Sequence, residues 1–251
     1  MRGAISAIAC AIFAAASIAA ELTEQELLVF NPGSALVAKE RIGGGQFKVL
    51  VYGNSIALHR PLAAAGWTNC CGMAASSPDK DFAHLVVAGL EARRGEKADF
   101  RIRNLAVLER NFTTNIATIA EIAADAAWSP DYVVIALGEN APEVKGEDAA
   151  RYQKFLVDLA VPFSMLKRRP KIVMRSQLMR SSAVKAQCTR NAAAAVGAAY
   201  VDAGPLGLKD KNLAIGRFKS RGVANHPGDL GMRRLADLIL AGFDRISSGE
   251  L

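Results

Sequence analysis

From Phe47 onward the chain alternates between two hydrophobic patterns. Phe47 to Tyr52, Phe100 to Val107, Tyr132 to Leu137, Lys171 to Arg175 and Tyr200 to Asp202 are short apolar runs rich in β-branched and aromatic residues. Such runs, bounded by polar and turn-forming residues, predict strands. Between and after them, Lys80 to Arg94, Thr114 to Ala127, Glu147 to Ala160, Ser182 to Ala198 and Asp229 to Phe243 place apolar residues at helical spacing. Strands that alternate with helices predict a parallel sheet covered on both faces, because right-handed crossovers put the helices there. The expected class is therefore α/β, a three-layer α/β/α sandwich around a five-stranded parallel, flavodoxin-like sheet.

Ahead of this alternation the signals are mixed. Glu21 to Gly45 carries a short helical pattern around Leu22 to Leu28, a turn at Asn31-Pro32-Gly33 and a flexible Gly43-Gly44-Gly45. This stretch reads as an N-terminal extension, residues 21–45, packed on a domain spanning 46–251. The glycine run precedes a strand instead of joining a strand to a helix, so it lacks the context of a phosphate loop and implies no nucleotide cofactor.

Composition adds a leader to this picture. Met1-Arg2 is a short basic start, Ala4 to Ala19 is apolar without a charge, and Ser17-Ile18-Ala19 supplies the small residues that signal peptidase reads. Residues 1–20 are thus expected to be a cleaved export signal, too short to remain as a membrane span of about 20 residues. The mature protein is expected to be exported, periplasmic or secreted, with no stable membrane insertion.

The full 251-residue chain, leader included, is an ordinary globular mixture, 51% hydrophobic and 22% charged. Its net charge of +7 is scattered, with Lys167-Arg168-Arg169 the one tight run. No zinc spacing and no aromatic-basic interleaving points to nucleic acid. Cys70, Cys71 and Cys188 follow the leader, and an oxidising compartment permits Cys188 to pair with one of the adjacent two. Three cysteines without suitably spaced histidines make no metal site. The oligomeric state leaves no mark on the pattern.

The candidate chemistry lies at the ends of the strands. The first core strand stops at Gly53-Asn54-Ser55, which is expected to turn into a helix and places Ser55 at the carboxyl edge of the sheet, where open α/β folds bind ligands. Far downstream, Asn225-His226-Pro227-Gly228-Asp229 precedes the last helix. A serine hydroxyl is a weak nucleophile until a neutral imidazole takes its proton, and His226 is the candidate base. His59 and His84 are better read as structural or surface residues.

Three blocks in register carry a resemblance: Gly53-Asn54-Ser55, Gly138-Glu139-Asn140 after the third strand, and His226-Pro227 before the closing helix. The chain resembles the SGNH/GDSL hydrolase superfamily of serine esterases and carbohydrate deacetylases. Gly66-Trp67-Thr68, Gly72-Met73-Ala74-Ala75-Ser76 and the run from His226 to Met232 are similar to a subgroup of exported bacterial members. The resemblance implies Ser55 as nucleophile, His226 as base, and oxyanion donors from the Ser55 N–H, a second-block N–H and the Asn140 amide. The second block normally supplies a glycine; its best match here, Arg103-Asn104-Leu105-Ala106, offers the Ala106 N–H. Asn54, Gly138, Glu109 and Arg110 are the further candidates for contact with substrate, although Glu109 and Arg110 read first as a structural ion pair.

The family's aspartate, three residues before the histidine, is replaced by Val223. Asn225 and Asp229 are the nearest candidate partners for His226, Asp202 and Glu139 are others, and a Ser-His dyad is the remaining option. The implied activity is hydrolysis of a short acyl ester, acetyl among the candidates, on a carbohydrate or cell-envelope polymer through an acyl-Ser55 intermediate. The alternative is a non-catalytic binding or polysaccharide-assembly protein on the same fold.

Overall fold

The computed structural model describes residues 27–30, 37–179 and 182–250. Seven strands form one sheet: β1 (Leu27–Phe30), β2 (Val37–Arg41), β3 (Phe47–Gly53), β4 (Ala98–Asn104), β5 (Tyr132–Ala136), β6 (Lys171–Arg175) and β7 (Ala199–Val201), in the order β1-β2-β4-β3-β5-β6-β7. β3 to β7 are mutually parallel, and their order is the doubly wound, flavodoxin-like one. The helices are α1 (Phe82–Arg94), α2 (Ala106–Arg110), α3 (Ala120–Ala127), α4 (Glu147–Ser164), α5 (Ala183–Val196), α6 (Gly204–Gly207), α7 (Arg221–Ala224) and α8 (Asp229–Ser248).

The two faces of the sheet explain the continuous apolar runs. Because successive strand residues point to opposite sides, Phe47, Val49 and Val51 join α1 and α8 in one core, while Leu50 and Tyr52 join α4 and α5 in the other. Both faces of β3 are buried, which is why its sequence shows no polar alternation.

Local chemistry moves some of the expected boundaries. The second core strand ends at Asn104, not Val107, because the Asn104 carboxamide accepts from the Ala106 N–H at 2.9 Å and turns the chain into α2. The helical pattern from Thr114 splits into one turn at Ile116–Thr118 and then α3. The closing helix runs on to Ser248 and stops at Gly249, whose φ of 76° supplies the left-handed cap.

The N-terminal extension differs more. Leu27 and Leu28, expected in a short helix, belong instead to β1, which pairs antiparallel with β2, and β2 pairs antiparallel with β4. The open edge of β4 offers unpaired backbone groups, and the extension covers them. The expected signal, residues 1–20, and the start of the extension lie outside the described residues.

Gly43-Gly44-Gly45 is anchored, not flexible. Its three N–H groups converge on Asp99 Oδ1 at 3.1, 3.2 and 2.8 Å. A Cβ on Gly45 would stand 2.0 Å from the Asp99 nitrogen, so glycine is required there.

The expected disulfide does not form. All three described cysteines are free thiols, with Cys70 and Cys71 in the α1/α8 layer and Cys188 in the α4/α5 layer. The sheet stands between them. Among the described residues, no helix is long and apolar enough to cross a membrane.

Candidate active site

β3 lies between β4 and β5, so its carboxyl end opens into the crevice where chain connections diverge to opposite sides of the sheet. Gly53 ends the strand where a Cβ would meet that of Ala57 at 2.4 Å, so the following turn can close tightly. Ala57 and Leu58 donate to the Asn54 carbonyl at 2.9 and 3.0 Å, which makes Ser55 part of a tight turn and not the start of the expected helix. The next α-helix begins only at Phe82.

The second component comes from the far end of the chain. The segment between α7 and α8 carries His226 over this turn, with Nε2 2.8 Å from Ser55 Oγ. Ser55, Glu139, Asn140, Met179, Gly207, Leu213, Gly222, Asn225 and His226 line one cavity of about 420 Å³.

The tautomer of His226 follows from its other nitrogen. Nδ1 lies 2.7 Å from the Gly222 carbonyl, which can only accept, so Nδ1 carries the hydrogen and Nε2 is left to accept from the Ser55 hydroxyl. The carbonyl is available because α7 is a single turn. The His226 N–H bonds the Val223 carbonyl at 2.9 Å, and the imidazole takes the Gly222 carbonyl one residue earlier. Burial is the main influence on His226 and pushes it below the usual imidazole range, with His59 acting in the same direction. A neutral ring at neutral pH is the form a general base needs.

This geometry corrects the expected partners of His226. Asp229 accepts from the Ser76 N–H at 2.8 Å and its hydroxyl at 2.7 Å, tying the start of α8 to the loop after Ser55. Asn225 is an exposed residue of the cavity wall and does not hold Nδ1. Asp202 accepts from Ser176 at 2.7 Å, and Val223 is buried in the α1/α8 core. Where a carboxylate was sought, a main-chain carbonyl stands.

The expected oxyanion donors are differently disposed. The Ser55 N–H has no acceptor among the described residues, whereas the Ala106 N–H is occupied by Asn104. Asn140 gives one amide hydrogen to Glu109 Oε2 at 2.8 Å, which leaves its second for the cavity.

Glu109 and Arg110 separate instead of pairing. Arg110 is exposed, while Glu109 is fully buried and accepts from the Gly138 N–H, the Asn140 amide and the Asn54 amide. The Asn54 amide also reaches Glu139 Oε2 at 2.7 Å. Glu139 in turn is clamped by Arg175, Nη1 to Oε1 at 2.5 Å and Nη2 to Oε2 at 3.2 Å, with the Leu178 N–H on Oε1 at 2.7 Å. The Glu139 carboxylate sits below the usual range because Arg175 outweighs its burial. Glu109 has no such cation among the described residues, and burial together with the Glu139 charge pushes it up to about 7.

His59 and His84 lie apart from the proton path. The former has Nδ1 2.6 Å from the Arg60 carbonyl, and the latter faces the Asp81 carboxylate at the start of α1. Gly222 was missed by sequence reasoning, and Arg175, which the pattern puts at the carboxyl edge of the sheet, was given no role. A backbone carbonyl has no residue signature, whereas Arg175, a charge closing an apolar strand, was a usable signal. Among the described residues no cluster of three or more His, Cys, Asp or Glu could hold a metal ion.

No protein-family model matches the chain, and no curated protein matches it. Solved structures do. The chain is similar to the psychrotrophic esterase EstA from Pseudoalteromonas sp., with a TM-score of 0.50 and 12% identity over 81% of this chain and all of that one. It is also similar to a family two carbohydrate esterase from Cellvibrio japonicus, with a TM-score of 0.49 and 14% identity over 83% of this chain and 63% of that one. An acetyl xylan esterase, Est2A from Butyrivibrio proteoclasticus, follows at a TM-score of 0.47 and 14% identity, over 85% and 67% of the two chains. At 12% identity the likeness to EstA speaks for architecture alone, and with the strand order above it leads to one conclusion: the chain has the three-layer, flavodoxin-like α/β/α fold of that structure.

Proposed function

We propose that the protein is an exported serine ester hydrolase that removes a short acyl group, acetyl among the candidates, from a carbohydrate or cell-envelope alcohol. The observation that carries this reading is the 2.8 Å contact between Ser55 Oγ and the Nε2 of an imidazole whose tautomer is set from behind. In the first half-reaction Ser55 Oγ bonds to the ester carbonyl carbon as His226 takes the hydroxyl proton. The negative oxygen that forms is met by the Ser55 N–H and the free hydrogen of Asn140. His226 then returns the proton to the leaving alkoxide, and the alcohol departs. In the second half-reaction His226 deprotonates water, which attacks the acyl-Ser55 carbon, and the acid leaves as Ser55 regains its proton.

The cavity supports the choice of substrate. At about 420 Å³, with Met179 and Leu213 as its two large apolar contributors, it suits a small acyl group on a hydrophilic alcohol better than a long lipid chain. Asn140, Glu139 and Asn225 on its wall offer polar contacts to sugar hydroxyls. Export rests on the leader expected at residues 1–20, and N-terminal sequencing of protein from the cell exterior or periplasm is its direct check.

The test of the function is turnover of p-nitrophenyl acetate and of acetylated sugars by the wild-type protein and by Ser55→Ala. Hydrolysis by the former and none by the latter is expected. Equal rates would remove Ser55 from the chemistry, and no turnover by folded wild type would favour a binding protein on the same fold.

A further inference from the structure

Behind the Ser55–His226 pair, two buried carboxylates share one amide. Asn54 Nδ2 stands 2.7 Å from Glu139 Oε2, 3.2 Å from Glu109 Oε2 and 3.4 Å from Glu109 Oε1. The roles of the two acids are unequal. Glu139 has the bidentate Arg175 and a backbone N–H, which is a sufficient reason for a buried charge to exist. Among the described residues Glu109 has no cation in contact, and every group on its oxygens is a donor: the Gly138 N–H, Asn54 Nδ2 and Asn140 Nδ2. A carboxylate is costly to bury without a cation, and what offsets that cost here is the set of three converging donors.

What the carboxylate does there is orient amides. An asparagine side chain has two ends of nearly equal shape, and either can face a neutral polar neighbour. A carboxylate accepts only, so Asn140 must present Nδ2 to Glu109 Oε2, which turns its second N–H away from Glu109, on a residue that shares the cavity wall with Ser55 and His226. The same group fixes the Gly138 N–H two residues earlier, where φ of 126° demands glycine.

We infer that Glu109 is a positioning residue, which aims the Asn140 amide at the acyl oxygen while the Asn54 amide and the Glu139–Arg175 pair hold it in register. This rests on the reading of Ser55 as the nucleophile of an ester hydrolase. Glu109 acts through Asn140 and touches no reacting atom.

The arrangement also implies a pH dependence. Glu109 is faced by Glu139 from the loop after β5, by Arg175 at the end of β6 through Glu139, and by Tyr152 of α4. Lys185 of α5 is bonded to the nearby Gly138 and Ala141 carbonyls at 3.1 and 2.6 Å. Burial and the Glu139 charge bring Glu109 to about 7. A proton there adds a donor among donors, so one of the three must release, and the Asn140 contact is the one nearest the cavity.

The test is a pH series of kcat and KM on p-nitrophenyl acetate for wild type, Glu109→Gln, Asn140→Ala and the double variant. Glu109→Gln should lower kcat by about 10–100-fold with KM changed by less than about 3-fold, as expected for an interaction made only in the transition state. In the Asn140→Ala background the same change should have little further effect, since both act as one unit. The acid limb of the wild-type kcat profile, with a midpoint near the Glu109 value, should move to lower pH in Glu109→Gln. Unchanged kcat, or fully additive losses, would overturn the inference.

A measurement independent of turnover guards against misfolding of the variant. In Ser55→Ala, the Asn140 side-chain amide resonances should titrate with the midpoint of Glu109; resonances flat from pH 5 to 9 would reject the positioning role. If wild type turns over no ester, the assigned function fails, while the amide titration still decides the role of Glu109.

Discussion

His226 Nδ1 and the Gly222 carbonyl stand 2.7 Å apart, so the imidazole is oriented by the backbone of the one-turn helix that precedes it. A carbonyl holds the ring and its tautomer as a carboxylate does, but brings no full charge to stabilise the imidazolium. Grafting an acid at the family's position should therefore fail. Val223 is 2% exposed in the α1/α8 core. Val223→Asp should bury an unpaired carboxyl and lower stability by about 1–3 kcal/mol or more without raising kcat. Thermal unfolding and steady-state kinetics on the purified variant check both halves.

Asp229 sits close to His226 in sequence but belongs to Ser76 and, at 3.9 Å, to Arg217. Asp229→Asn should cost about 1 kcal/mol of stability through those partly exposed contacts. The pH profile of kcat/KM should keep its shape. A shift of the acid limb in this variant would instead place Asp229 in the proton path.

The pH dependence of stability carries the signatures of two groups with opposite signs. Glu109 is raised from 4.5 to about 7, so its contribution is fully present below 4.5 and is lost as pH rises through 7. His226 is lowered from 6.5, so its contribution is present above 6.5 and is lost as pH falls below that value. Glu109→Gln removes the first of these alone. The Tm of that variant relative to wild type should increase from pH 5 to pH 8; a constant difference would show that Glu109 has an ordinary pKa.

The cysteines should behave as three separate thiols. Burial pushes Cys70 and Cys188 upward, toward the inert thiol form, and the sheet separates Cys188 from the other two. Intact-mass analysis after alkylation of unfolded, unreduced mature protein should find all three modified. Protection of Cys188 together with one other would contradict the layer assignment.

How much of this was legible in the sequence depends on where the information resides. β3 and β6 were readable because strands buried on both faces must be apolar throughout, and Lys171–Arg175 has the expected bounds. Ser55 and His226 were readable because both sit at element ends, although 171 residues apart. The end of β4 was not, since Val107 and Leu108 continue an apolar run after a side-chain-to-backbone bond from Asn104 has already turned the chain. Glu109 was hidden by the same misplacement: in a loop after the strand it read first as half of a structural ion pair with Arg110, whereas on α2 it is fully buried. The Nδ1 partner was beyond any reading of side chains, because it is main chain.

The central claim is that Ser55 is a nucleophile activated by His226, and its most direct test is covalent capture. Folded wild-type protein treated with a fluorophosphonate should gain one adduct, mapped by peptide mass spectrometry to Ser55, at a rate that falls as His226 becomes protonated. His226→Ala should react at least about 10³-fold more slowly, in line with the loss of a general base that acts as a unit with its nucleophile. An unlabelled Ser55 in folded wild type, or equal labelling of the two proteins, would contradict the account.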